Sequence, residues 1–181
     1  MMLVPATSFA QKRQAELAAG EIFVSTIPMP GAYYPKVHVE GVVDAPPAKV
    51  FAIVKDCARS QHVNANVMKS YVVKRIKDDV VCSELIDLPW PIRNLESITR
   101  WSFAPGPAIW TKSWTLAGGE DFDYANGSWR MERFGDGSRT LVVYENHFSP
   151  RISVPDWLTR AFLKVGLPGL IKDLRKAAAT P

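Results

Sequence analysis

Residues able to do acid–base or nucleophilic chemistry are sparse in this chain, and none falls into a known signature. His38 and His62 have no acid and no Ser or Cys partner at a recognisable spacing. His147 alternates with Asn146 near the end of a strand-like run, so only one of the two can face inward. Tyr144 and Asn146 share parity with Val142 and Phe148, which puts that set inside and His147 outside with Glu145. Cys57 and Cys82 show no CxxC and no Cys/His spacing for zinc. GxSxG, HExxH, a Walker loop and GxGxxG are absent from the sequence, so no metal, nucleotide or other cofactor is expected. Catalysis would have to come from Tyr144, Arg100 and Glu84 as acid–base groups. Glu84 shares a strand face with Cys82 and Ile86, and Arg100 shares one with Ile98. If both faces point inward, the two form a buried ion pair across neighbouring strands, a costly arrangement whose retention suggests ligand orientation. If they point outward, they are an exposed cross-strand pair worth only a few tenths of a kcal/mol.

Aromatic residues carry the other signal. The chain has six Trp, five Tyr and eight Phe alongside fourteen Pro. Tyr71, Trp101, Trp110, Trp114, Trp129, Tyr144 and Phe148 all lie on strand-like runs. On a curved sheet the inward members either line a cavity with flat apolar surface or fill the core. A ligand burying ~300 Å² of apolar area there would gain ~7 kcal/mol before association costs, enough for micromolar binding.

The elements that must position these residues follow from length and pattern. At 181 residues, 47% hydrophobic and 22% charged, the chain is globular and has room for one domain, or one domain with a terminal extension. No run of 18 apolar residues suggests a membrane span. The net charge of +4 carries no Lys/Arg block, so nucleic acid is not an expected partner. Residues 8 to 19 read as a short helix with Phe9, Ala10, Leu17 and Ala18 as its apolar stripe, and 21 to 27 as a strand before the loop PMPGAYYP. From Lys36 a period of two sets Val37, Val39, Gly41 and Val43 on one face. Asp44-Ala-Pro-Pro opens a helix to about Asp56, and Cys57 to Val67 is polar and helical or irregular. Six strand-like runs follow, at 68–77, 80–88, 95–103, 109–117, 127–134 and 139–148, which imply an antiparallel meander. A capping box at Ser153-Val-Pro-Asp156 opens a last helix to about Ala179. Its apolar face includes Trp157, Leu158, Phe162, Val165, Leu170, Ile171 and Leu174, and Gly166, Pro168 and Gly169 predict a kink or break. Its Lys and Arg residues read as a solvated face.

Three segments in order resemble one family. They are VVDAPPAKVFAIVKD (42–56), LIDLPWPIRNLESITR (85–100) and GSWRMERFGDGSRTLVVYENHFSPRISVPDWLTRAF (127–162). From Val37 to Lys176 the chain resembles the START / Bet v 1-like superfamily of helix-grip proteins, which includes polyketide cyclases, aromatases and lipid-transfer domains. Asn94 stands where members often carry Asp after the Arg. The resemblance implies an α+β fold: a seven-stranded antiparallel curved sheet wrapped around a long C-terminal helix, over residues 36–179. Residues 1–35 form a helix-strand extension outside it.

It further implies binding and sequestration or transfer of a hydrophobic small molecule, lipid-like or polycyclic, between sheet and helix. Tyr71, Glu84, Arg100, Trp129, Tyr144, Asn146, Phe148, Trp157 and Phe162 are then the candidate cavity residues. Trp90, Arg93, Gly166 and Gly169 are candidates for the mouth or lid. Gly166 and Gly169 serve either a hinge or close packing, and Trp90 is either at the mouth or a plug in the core. An exposed Trp90 beside Arg93 suits transient contact with a membrane surface. Two alternatives stand beside carriage: a cyclase/aromatase-type enzyme in the same cavity, and a partner-binding module whose cavity is filled by side chains. The first ten residues also read two ways. Ser8 caps a helix, with Gln11 completing a capping box and Gly20 ending it, or Ser8 and Ala10 are the remnant of an export cleavage site. The chain as it stands reads as cytoplasmic with two thiols; exported to a periplasmic or secreted location, Cys57 and Cys82 could pair.

Overall fold

The computed structural model describes residues 9–180. The period-two runs form one antiparallel sheet of eight strands. β1 (Phe23–Ile27) and β2 (Lys36–Val43) come first, followed by β3 (Val67–Ile76), β4 (Asp79–Ile86), β5 (Leu95–Pro105), β6 (Ile109–Gly118), β7 (Phe122–Phe134) and β8 (Arg139–Pro150). Their order is β1-β2-β8-β7-β6-β5-β4-β3, so the expected meander runs from β3 to β8 and the last strand closes back onto β2. The sheet has one strand more than the seven expected. β1 pairs with β2 from Phe23↔Glu40 to Ile27↔Lys36, because its backbone groups find partners on the free edge of β2.

Among the described residues, four helical elements flank the sheet. α1 (Phe9–Ala18) precedes it, and α2 (Pro47–Val54) follows β2 with Pro46 as its N-cap residue. A 3-10 segment, Cys57–His62, leads into β3. At the C-terminus α3 (Asp156–Ala161), a π-helical turn (Phe162–Gly166) and α4 (Leu167–Ala179) form one continuous helical run. No break therefore occurs at 166–169. Gly166 has helical φ −62° and Leu167 φ −66°, and the local irregularity is the π turn just before them. Ser153 does not cap this run: Pro155 is the N-cap residue, without a side-chain hydrogen bond. Ser8 and the rest of the cleavage-like segment before Phe9 lie outside the described residues.

The two faces of the sheet are both partly covered. Val39, Val43, Met131 and Val142 on one face pack with Val50 and Val54 of α2 and with Leu170, Ile171 and Leu174 of α4. Gly41 lets α4 approach closely, since a Cβ there would lie 2.7 Å from Ile171 Cγ2. On the outer face Leu17 of α1 covers Val42 and Phe134. Arg13 of α1 stacks over the Phe23 ring and pairs with Glu40, at 2.8 Å, fixing the N-terminal helix to the same sheet. Cys57 and Cys82 are joined by a disulfide, with their Cα atoms 6.0 Å apart. It ties the 3-10 segment to β4, which settles the choice between thiols and a pair. No helix among the described residues is long and apolar enough to cross a membrane.

Candidate functional site

Between the inner face of the sheet and the α3–π–α4 run lies a cavity of about 410 Å³. Period two decides which strand residues reach it. On β7 and β8, Trp129, Tyr144, Asn146 and Phe148 all line it, while His147 points away and meets the Tyr124 hydroxyl and the Tyr34 carbonyl. On β5, Trp101 is inward and fully buried, and on β6 Trp114 is inward beside it, paired across the strands. Trp129 and Trp114 flank the Tyr144 ring at 4.7 and 5.7 Å between centroids. Gly127 makes room for this stack, because a Cβ there would collide with the Trp114 ring and with the Glu145 carbonyl. From the helical side Leu158, Phe162, Val165 and Gly166 complete the wall, and Phe162 meets Phe148 edge-on at 6.0 Å.

Polar groups are few and clustered. Glu84 lines the cavity and accepts a short hydrogen bond from the Ser60 hydroxyl. Asn146 Oδ1 is buried and has no hydrogen-bond donor among the described residues. Burial pushes the Tyr144 phenol well above its ordinary value, with the Glu84 charge acting in the same direction, so it stays a neutral O–H. The group that sequence reasoning missed is Lys112. Its Nζ lies 3.0 Å from the centroid of the Trp101 ring and donates to the Val54 carbonyl at 3.1 Å. Burial pushes its ammonium down to about 7, against the opposing pull of the Glu84 charge. A signal was present: Trp110, Lys112 and Trp114 share one strand parity, and that parity is the inward one.

Several expected cavity residues lie elsewhere. Arg100 is on the outer face, where it pairs with Asp79 at 2.6 Å, because Trp101 takes the inward position and adjacent residues point to opposite faces. The buried basic group that feels the Glu84 charge is therefore Lys112 and not Arg100. Tyr71 is on the edge strand β3, exposed, with its hydroxyl donating to Glu96. Trp157 is exposed on the first turn of α3, one position off the stripe Leu158, Ala161, Phe162 and Val165 that faces the cavity. Gly169 does not line the cavity, and a Cβ there would meet nothing within 4 Å.

The cavity opens where its lining is exposed, between Asp87–Pro89 of the β4–β5 loop and Ala161–Val165 of the helical run. Trp90, 91% exposed, stands beside that opening and is not a core plug. Arg93 anchors the loop through an ion pair with Asp121 at 2.6 Å, and the Asp121 carboxylate also accepts from the Glu96 backbone N–H. Asn94, at the position where an acid was the alternative, accepts from the Leu88 backbone N–H and so closes the loop.

A curved antiparallel sheet gripping a C-terminal helix around an aromatic-lined cavity is the expected helix-grip architecture, with one strand added. Residues 43–175 match the family model of polyketide cyclase / dehydrase and lipid transport proteins. The chain belongs to that family. Among solved structures, this family member is similar in fold to a STAR-related lipid transfer protein from Xanthomonas axonopodis. The two are 20% identical with a TM-score of 0.74, over 87% of this chain and 93% of that one. Human StAR-related lipid transfer protein 5 is 14% identical, with a TM-score of 0.74 over 96% and 98% of the two chains. The Zhui aromatase/cyclase of a Streptomyces species is 17% identical, with a TM-score of 0.57 over 80% and 96%. No curated protein matches the sequence.

Proposed function

We propose that this chain binds a hydrophobic small molecule, lipid-like or polycyclic, and sequesters or transfers it. The observation that carries this reading is a cavity of about 410 Å³ walled by Trp101, Trp114, Trp129, Tyr144 and Phe148, left unfilled by side chains. Enclosure would remove the ligand's apolar surface from water, and Glu84, Lys112 and Asn146 would fix its orientation. The solved relatives carrying lipid-transfer names support the same reading at the level of fold. The open cavity weighs against a partner-binding module with a filled core.

Trp90 and Val165, both exposed at the opening, would insert into a lipid surface while the ligand passes. The cyclase/aromatase alternative rests on Lys112, a displaced titratable group in the cavity wall. The Cys57–Cys82 bond supports action in an oxidising compartment, the exported alternative.

Native mass spectrometry of protein purified from cells, with solvent extraction of what accompanies it, tests the main reading. The expected result is a reproducible adduct of one lipid or polycycle. It should be lost in Trp129→Ala, and in Gly166→Val, where a Cβ would lie 2.9 Å from the Phe162 ring. A bare protein mass, together with no binding of an apolar fluorescent probe, would sink it.

A further inference from the structure

Lys112 is held in the cavity wall without the partner a buried lysine normally keeps. It is 5% exposed, and among the described residues no carboxylate comes within 4.0 Å of its Nζ. Its one hydrogen bond among those residues goes to the Val54 carbonyl, and the Trp101 face covers another side. Burying an ammonium costs several kcal/mol that Met or Leu at this site would avoid, so the amine is the feature to explain. Recognition of an anionic ligand is disfavoured by Glu84 in the same wall, whose charge already acts on Lys112 and Tyr144.

We propose that Lys112 holds a carbonyl-bearing apolar ligand as a reversible imine. The lone pair of Nζ adds to the carbonyl carbon, forming the C–N bond as the C=O π bond breaks. A proton then moves from nitrogen to oxygen to give a carbinolamine. Loss of water follows: the C–O bond breaks, the nitrogen lone pair forms C=N, and the departing oxygen takes a proton. Amine plus aldehyde gives imine plus one water, with no oxidant or reductant consumed. Glu84, in the same wall but beyond 4.0 Å of Nζ, would relay the proton from nitrogen to the leaving oxygen through one water, and Ser60 holds the carboxylate. Val54 takes one N–H of the amine, and the indole walls of Trp101 and Trp114 exclude the water that would reverse the reaction. Burial supplies the neutral amine, since a group titrating at about 7 is mostly unprotonated at pH 8. The inference rests on the carrier reading of this cavity and narrows its ligand to aldehydes and ketones with an apolar body.

The test uses the full chain, decanal and sodium cyanoborohydride at pH 8, with peptide mapping of alkylated lysines over time. Lys112 is expected to be trapped about tenfold faster than the exposed Lys12 and Lys176. Glu84→Gln should slow trapping at Lys112 by about tenfold, and Lys112→Arg should abolish cavity labelling. Labelling of Lys12 and Lys176 at the same rate as Lys112 or faster, with Nile red bound normally, overturns the imine and leaves the carrier reading standing. Failure of both labelling at Lys112 and Nile red binding overturns the two together.

Discussion

Lys112 costs this protein stability, and the cost depends on pH. Its folded value of about 7 lies below the ordinary lysine value of 10.5. Between those values the unfolded chain holds a proton that the folded chain lacks, so this group makes stability rise with pH. Below about 7 the ammonium is charged in both states and its burial penalty is fully present. Lys112→Met is therefore expected to be more stable than the parent at pH 6, by on the order of 4 kcal/mol, with the gain shrinking steadily towards pH 10. Urea unfolding at pH 6, 8 and 10 checks this; a gain that grows with pH would contradict it. Gly127 makes the opposite kind of demand, for space. Gly127→Ala should cost about 3 kcal/mol, because the new methyl group meets a backbone carbonyl and the Trp114 ring, neither of which can retreat without disturbing the cavity. Trp fluorescence and the thermal midpoint, read together, would show a shifted Trp114 in a less stable protein.

The elements around the cavity differ in how they are held. Strands β4 to β8 are locked into the sheet by neighbours on both sides, whereas the segment 57–66 meets the cavity from a short 3-10 turn and irregular chain. Its ties to β4 are the disulfide and the Ser60–Glu84 hydrogen bond. Closing a loop of about 25 residues stabilises a fold by about 3 kcal/mol in the chain-entropy model. Cys57→Ser with Cys82→Ser should lose about that much. It should also weaken apolar-probe binding, since Ser60, Val63, Asn64 and Asn66 all line the cavity. Denaturant titration with and without reductant, alongside Nile red titration, measures both effects. Unchanged probe affinity would mean that the 3-10 segment keeps its place without the bond. On the helical side, entry and exit of a ligand fall to the opening between the β4–β5 loop and the π turn.

For the whole molecule, the exposed apolar residues are arranged so that binding and delivery separate. The aromatic wall is inside, Val165 is the exposed end of the helical wall, and Trp90 is outside beside the opening. Trp90→Glu is expected to leave Nile red affinity in solution within about twofold and to slow probe transfer between vesicles by tenfold or more, since charge at a membrane interface opposes insertion. A stopped-flow transfer assay between labelled vesicles reads this directly. Equal loss of binding and transfer would instead make Trp90 part of the cavity.

Local pattern was enough for the order of elements, because alternation and the turn signals Asp136-Gly137 and Gly118-Gly119 act over a few residues. It was enough too for the inward set Tyr144, Asn146 and Phe148, since parity alone assigns a face once one member is buried. Only tertiary structure decided the rest. Arg100 and Lys112 are both basic residues on strands; with Trp101 and Trp114 both turned inward by the packed sheet, Arg100, next to Trp101, faces out and Lys112, two residues from Trp114, is buried. Trp157 looked like part of the helical stripe, and its exposure depends on the rotation of α3 about its axis, which turns Leu158 and Ala161 to the cavity instead. The pairing of β1 with β2 and of Cys57 with Cys82 joins segments whose meeting no local rule encodes. Sequence thus determined which residues alternate and where the chain turns; three-dimensional packing decided which alternating set encloses the cavity, because burial is a property of the assembled layers.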